Sequence, residues 1–305
     1  GYKWHPCYTL STLLHIKKDL RYLHYAGYEL GPGNEDELVQ GEKILKRYVK
    51  ACGKGVIKLL VVDRGYVSGD FLSMCKKELD IDVLMPLRTN MDAYKEAITL
   101  AQMQDVKWQV TSDPTQLSRR ERGEAFRIVS ACTIEDINIW DNCTCPIFVT
   151  VIKKEKGDQW KTKETKYFVL CCTRKHATPF EARQDYRLRT RVEEGYRQGK
   201  HVWNIGAFSS PDRSLLETQV SFTLLTYSLL TLYLRQTKQD DFIGRFVTTL
   251  RNEAQANDSA SAVVAYANDV FGLFGIKEYL ELICTLDQEE RQRFMDSLSA
   301  ATNQR

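Results

Sequence analysis

Two acidic residues in this chain stand where a carboxylate could hold a divalent cation. The first is Asp63. It closes a nearly continuous apolar run, Val56-Ile57-Lys58-Leu59-Leu60-Val61-Val62, and is followed by Arg64-Gly65-Tyr66. Such a run reads as a strand buried on both faces, and the C-terminal edge of a central strand is where open α/β sheets place their sites. The second is Glu193, in the stretch DYRLRTRVEEGYRQGKH over 185–201. Read as one helix at about 100° per residue, that stretch puts Tyr186, Arg189, Glu193, Arg197 and Lys200 within about 80° of one another. One carboxylate bracketed by three cations is either a solvated face or an acidic metal ligand among phosphate-binding groups. Hard divalent cations prefer carboxylate oxygens, and two of them can stabilise the attacking and leaving oxygens of an in-line phosphoryl displacement. An Asp at a strand end also serves simply as a turn former or helix cap.

The elements that would position these residues can be traced along the chain. Residues 1–30 read as two strands joined at Lys17-Lys18-Asp19, rich in Tyr, Leu and Thr. Pro32-Gly33-Asn34 breaks the chain, and a helix over 35–51 follows with Asn34 as its N-cap and acidic residues in its first turn. After the 56–62 strand come a helix over 68–78, a strand over 82–87 and a helix over 91–101. Up to residue 87 the pattern β-β-α-β-α-β points to a mixed α/β sheet. Four β-prone segments, 107–111, 125–133, 146–152 and 165–172, then suggest a β-rich insertion. Helices resume over 180–200 and from 215 onward. The apolar stretch 215–234 contains Glu217 and Gln219, and reads as a buried core helix rather than a membrane span.

Composition narrows the class. The 305 residues are 43% hydrophobic and 27% charged, as in an ordinary globular protein. Net charge is +3, but residues 117–201 hold 18 Lys/Arg against 12 Asp/Glu, while the remainder holds 25 against 28. A basic central third is compatible with a polyanion such as DNA, whose neutralised phosphates release counterions. Nine cysteines at irregular spacing lack the paired C-x2-C pattern of a zinc ribbon and read as reduced, mostly buried thiols.

The spacing Tyr186-x2-Arg189-x3-Glu193-x6-Lys200 resembles the Y-(2)-R-(3)-E-(6)-K motif of bacterial insertion-sequence transposases of the DDE type. Val62-Asp63-Arg64-Gly65-Tyr66 is similar to the segment around that group's second aspartate, and Gly1-Tyr2-Lys3-Trp4-His5 to the strand that follows its first. The resemblance spans roughly residues 1–235. It implies an α/β fold: an RNase H-like mixed sheet flanked by helices, with a β-rich insertion between the second Asp and the Glu-bearing helix. The division expected is a core over 1–100 and 179–235, an insertion over 101–178 and a helical region over 236–305.

The same resemblance implies function. Asp63 and Glu193 would be catalytic residues and ligands of Mg2+, or of Mn2+ in its place. Tyr186, Arg189, Arg197 and Lys200 would contact DNA. The activity implied is cleavage of transposon ends and strand transfer into target DNA, by a homodimer assembled on DNA in the cytoplasm, at the nucleoid of a bacterium or archaeon, without a membrane. The family pattern puts the first aspartate upstream of Gly1, because Asp19 falls in a turn; the chain as it stands would then bind metal poorly and lack activity. Trp140 and Trp160 stand where related enzymes hold a flipped base, or are core residues of the β-rich segment. Two other readings use the same residues: a catalytically inactive transposase-derived DNA-binding protein, and another RNase H-like nuclease.

Overall fold

The computed structural model describes residues 7–16, 23–103, 105–110, 126–135, 137, 140–156, 165–201, 205, 212–238, 261–265, 271–275 and a few positions between 287 and 296. Two compact units divide the chain, Gly1–Asp240 and Asp241–Arg305.

The first unit opens with an antiparallel pair, β1 (Tyr8–Ile16) and β2 (Leu23–Pro32), with a register shift between Leu13 and Leu14. The turn expected at Lys17-Lys18-Asp19 lies outside the described residues. Helix α1 (Glu37–Cys52) follows, and its N-cap is Asp36 rather than Asn34: the Asp36 carboxylate accepts from the Leu38 amide at 2.9 Å. Either residue type caps well, and the chain starts the helix two residues later than expected. Gly53, at φ 92°, ends it in a conformation that favours glycine.

A six-stranded mixed sheet follows, in the order β3-β4-β8-β7-β6-β5. Its strands are β3 (Leu60–Val61), β4 (Val83–Pro86), β5 (Gln109–Val110), β6 (Phe126–Ile134), β7 (Phe148–Lys156) and β8 (Thr165–Cys172). β3 pairs parallel with β4; every other pairing is antiparallel. The β-prone segments after residue 101 therefore extend the sheet that carries Asp63. The charged run from Lys153 to Lys156, expected in a loop, continues β7.

β4 shows how the sheet is sandwiched. Its residues are buried without exception and alternate between faces, as strand geometry requires. Val83 and Met85 join the larger core with Phe71 and Leu72 of α2 (Gly69–Ser73, continued by a wide turn through Glu78) and Ala93 and Ala97 of α3 (Asp92–Ala101). Leu84 faces the other way, onto Ile152, Leu170 and Ala182 of α4 (Pro179–Arg187).

Three expectations need correction here. The 56–62 run, read as a central strand buried on both faces, forms only the two-residue β3 at the end of the sheet, and Val56 is 51% exposed. Nothing pairs with its outer side among the described residues, so the ladder that would define a longer strand is missing. The helix expected over 180–200 is two: α4 ends at Arg187, and α5 (Thr190–His201) begins after a tight turn in which Leu188, Arg189, Arg191 and Val192 each bond three residues back. The Thr190 hydroxyl donates to the Arg187 carbonyl at 2.8 Å, and such local side-chain bonding competes with helix continuation. The 215–234 stretch lies in α6 (Arg213–Gln236) and is buried on one face only. Val220, Leu224 and Tyr227 are buried, whereas Phe222, Leu225 and Leu229 are exposed.

The second unit contains an antiparallel pair, β9 (Ser261–Ala265) and β10 (Phe271–Gly275), where helix had been expected. Val263, Val264, Phe271 and Phe274 favour strand, and that local preference wins. None of the described helices is long and apolar enough to cross a membrane.

Candidate active site

Asp63 is placed by the end of β3. Leu60 and Val62 donate backbone bonds to Asp82 and Leu84 of the neighbouring strand, at 2.7 and 3.1 Å, which fixes the strand up to the residue before it. Its Oδ1 accepts from the Gly65 amide at 2.8 Å and caps a short turn over Arg64–Tyr66. Arg88 closes the same turn from outside, donating twice to the Arg64 carbonyl, at 2.7 and 3.2 Å. With Oδ1 engaged, Oδ2 is left to point toward α5.

There it meets Arg189. One terminal nitrogen of that guanidinium lies 3.5 Å from Asp63 Oδ2 and the other 2.6 Å from Glu193 Oε1. A single rigid fork thus joins a carboxylate at a strand tip to a carboxylate on a helix far away in sequence. The fork itself is the less exposed partner: 27% for the Arg189 side chain, against 44% for Asp63 and 65% for Glu193. The pair of acids is open to solvent and held by a cation.

The other residues singled out from the sequence are placed as follows. Tyr186, on α4, is half-buried and packs its ring on Phe168 of β8 at 5.6 Å. Burial raises its hydroxyl pKa, and nearby Arg189 opposes that shift. Arg197 does not join Glu193. It makes a two-pronged pair with Glu194, at 2.6 and 2.8 Å, and that pairing holds Glu194 below its ordinary pKa. Lys200 is exposed, at the rim of a large cavity that Asp63, Arg189 and Glu193 also line. Trp140 is half-buried against the larger core, and Trp160 lies outside the described residues.

Sequence reasoning missed a buried polar group beside this site. Asp185, 1% exposed, takes His176 at 3.3 Å and Arg174 at 3.4 Å and pins the start of the Tyr186-bearing turn to the end of β8. No spacing in the sequence announced it; only the fold brings residues 174, 176 and 185 together. Tyr196 was missed as well. Its hydroxyl accepts from Thr12 of β1 at 3.1 Å, tying α5 to the first hairpin, and burial raises its pKa.

The family profile described as the Transposase DDE domain matches residues 1–229. The chain belongs to that family. No curated protein matches it. Its mixed sheet, flanked by helices on both faces, is consistent with the RNase H-like fold of a DDE transposase domain. Family membership supports a transposase role, with DNA as the implied partner.

The residues present fit a divalent cation by chemistry and by number only in part. Two carboxylates with accessible oxygens converge, and a guanidinium already bridges them. Among the described residues, no group of three or more His, Cys, Asp or Glu could hold a metal ion.

Proposed function

We propose that this chain is the DDE domain of a transposase that cleaves transposon ends and joins them to target DNA with Mg2+ as cofactor. Asp63 and Glu193 are the catalytic carboxylates and the metal ligands it supplies. A third carboxylate comes from outside the described residues. The observation that carries this reading is the Arg189 fork, which touches both Asp63 and Glu193 although the two lie far apart in sequence. When bound, the cation would supply charge neutralisation at the oxygens that attack and leave.

The chain's own residues do the remaining work. Arg189 is suited to bidentate capture of a phosphate, and Lys200 to contact as a point charge at the cavity rim. Tyr186, braced on Phe168, presents a hydroxyl from a fixed ring. Arg197 reaches DNA while its Glu194 partner sets its direction. In this reading the segment over 101–178 is the family's insertion, built as an extension of the core sheet, and residues 236–305 form a separate appendage. The working assembly is a homodimer on DNA, because each transposition event joins two ends, and it operates in the cytoplasm on the nucleoid.

The test is excision and integration of the element in cells carrying the intact coding sequence. Asp63→Asn and Glu193→Gln should each abolish both products while leaving binding to end DNA in place. Retention of ordinary excision by either variant would remove the metal-site assignment. Absence of both products from the parent protein as well, alongside intact DNA binding, would favour the transposase-derived DNA-binding protein instead.

A further inference from the structure

A polar chain leads from the buried face of α6 to the surface of α5. Tyr227 of α6, 4% exposed, donates from its hydroxyl to Gln198 Oε1 at 2.7 Å. Gln198 of α5 is equally buried, and its side-chain nitrogen donates to Glu194 Oε1 at 2.7 Å. Glu194 in turn accepts both prongs of Arg197, at 2.6 and 2.8 Å. The first hairpin ties in through Tyr25 of β2. Its hydroxyl donates to the Gly195 carbonyl at 3.1 Å, its amide donates to Ser228 Oγ at 3.2 Å, and its ring meets that of Tyr227 edge-on at 5.3 Å.

The chain has a direction. Burial above all, and then Tyr25 and Glu194, raise the pKa of the Tyr227 hydroxyl, so the phenol keeps its proton and donates. The Gln198 amide is oriented by its two ends. Turned over, it would set its carbonyl oxygen against the Glu194 carboxylate, acceptor facing acceptor. A neutral phenol therefore fixes an amide, the amide fixes a carboxylate, and the carboxylate fixes a guanidinium. The bonds from Arg197 and from Gln198 hold Glu194 below its ordinary pKa against the opposing effect of burial.

Packing alone does not require this arrangement. Two buried hydrogen-bonding partners can be exchanged for apolar groups of the same shape at little cost, because the net contribution of the bond is small. What an apolar pair cannot do is set the angle of a carboxylate. Arg197 has two acids within helical reach, Glu193 four residues back and Glu194 three. The one already held by Gln198 takes it, and Glu193 stays with Arg189. Arg197 lines the same cavity as Asp63, Arg189, Glu193 and Lys200, so its orientation bears on what enters there.

We propose that Gln198 and Tyr227 are positioning residues, which hold Glu194 so that Arg197 presents its guanidinium to a DNA phosphate in one orientation. The phosphate rests on the function proposed above; the brace on Glu194 does not.

The experiment is a double-mutant cycle on binding of a fluorescein-labelled duplex of arbitrary sequence, read by anisotropy at low salt, where phosphate contacts dominate. Tyr227→Phe removes only the hydroxyl, and Gln198→Met only the amide. Each should weaken duplex binding on the order of 3- to 10-fold, the cost of ordering one long side chain on binding. In an Arg197→Ala background neither should weaken it further, because no guanidinium is left to orient. Without DNA, carbon-detected titration of the Glu194 carboxyl group should show its pKa rising toward the ordinary value in Gln198→Met. If that variant fails to fold, Tyr227→Phe carries both measurements, with a smaller rise expected. Equal weakening in the two backgrounds overturns the proposal, since a general loosening of α5 would give that result. So does a Glu194 titration that does not move. A titration that moves as expected, with duplex binding indifferent to Arg197→Ala, upholds the brace and strikes Arg197 from the DNA contacts of the proposed function.

Discussion

Removing Arg189 should push two measurements in opposite directions. In Arg189→Ala the guanidinium bridging Asp63 and Glu193 is gone, so a divalent ion no longer has to displace it. Ion pairs at this level of exposure contribute about 0.2–1 kcal/mol each. The Glu193 contact at 2.6 Å belongs near the top of that range and the Asp63 contact at 3.5 Å near the bottom. Freed of both, about 1.2 kcal/mol in all, the site should bind Mn2+ roughly 7-fold more tightly, taking about 1.4 kcal/mol per factor of ten. DNA binding should weaken, because a phosphate clamp is lost. The slope of log K against log salt should become shallower by about 0.9, the value for one phosphate. Calorimetric titration with Mn2+ and fluorescence anisotropy of a labelled duplex over a salt series read the two effects separately. The fold itself should lose no more than about 2 kcal/mol, checked by urea unfolding. If Mn2+ affinity is unchanged or weaker in Arg189→Ala, the fork does not stand in for a metal, and the reasoning fails.

Other expectations follow from the same coordinates. Phe71 is fully buried against Tyr66, and Phe71→Ala should cost about 3–5 kcal/mol in urea unfolding; a loss below about 1 kcal/mol would contradict its placement in the core. Thr178 caps α4 by accepting from the Glu181 amide, and Glu181 in turn accepts from the Ala177 amide. Thr178→Ala should therefore cost about 0.5–2 kcal/mol in the same measurement, whereas an unchanged midpoint would show the cap to be idle. Arg197 depresses the pKa of Glu194 below its ordinary value of 4.5, so this pair stabilises the fold above that value and loses its contribution as pH falls through the lowered one. Acid unfolding of Glu194→Gln should show a flatter pH dependence below about pH 4.5 than the parent; identical acid limbs would remove the pairing from the account.

Much of the framework was legible in the sequence because its signals are local. The breaker Pro32-Gly33 and the Gly53 turn delimit α1, and β-prone composition marks β6 to β8. Asp63 just past the end of a strand is legible for the same reason. What could not be read depends on partners remote in sequence. Whether 56–62 stands at the centre or the rim of a sheet is decided by its neighbours, not by its apolar content. The stripe from Tyr186 to Lys200 was drawn on a straight helix, and a single threonine hydroxyl bonding backward at residue 190 is too weak a signal to foretell the break. The Arg197 pairing illustrates the same limit: Glu193 and Glu194, four and three residues away, are both within helical reach, and the fold pairs it with the second.

The interruption at Leu188 and Arg189 also changes what the polar motif is mechanically. A straight rod would carry any displacement of Glu193 directly to Tyr186. Here the tyrosine is anchored to the sheet through Phe168, while the glutamate rides on a segment of its own, and the arginine sits in the joint between them. The motif is articulated at its most highly charged point, so the acid can be repositioned by a few backbone torsions without unseating the ring that braces the other end.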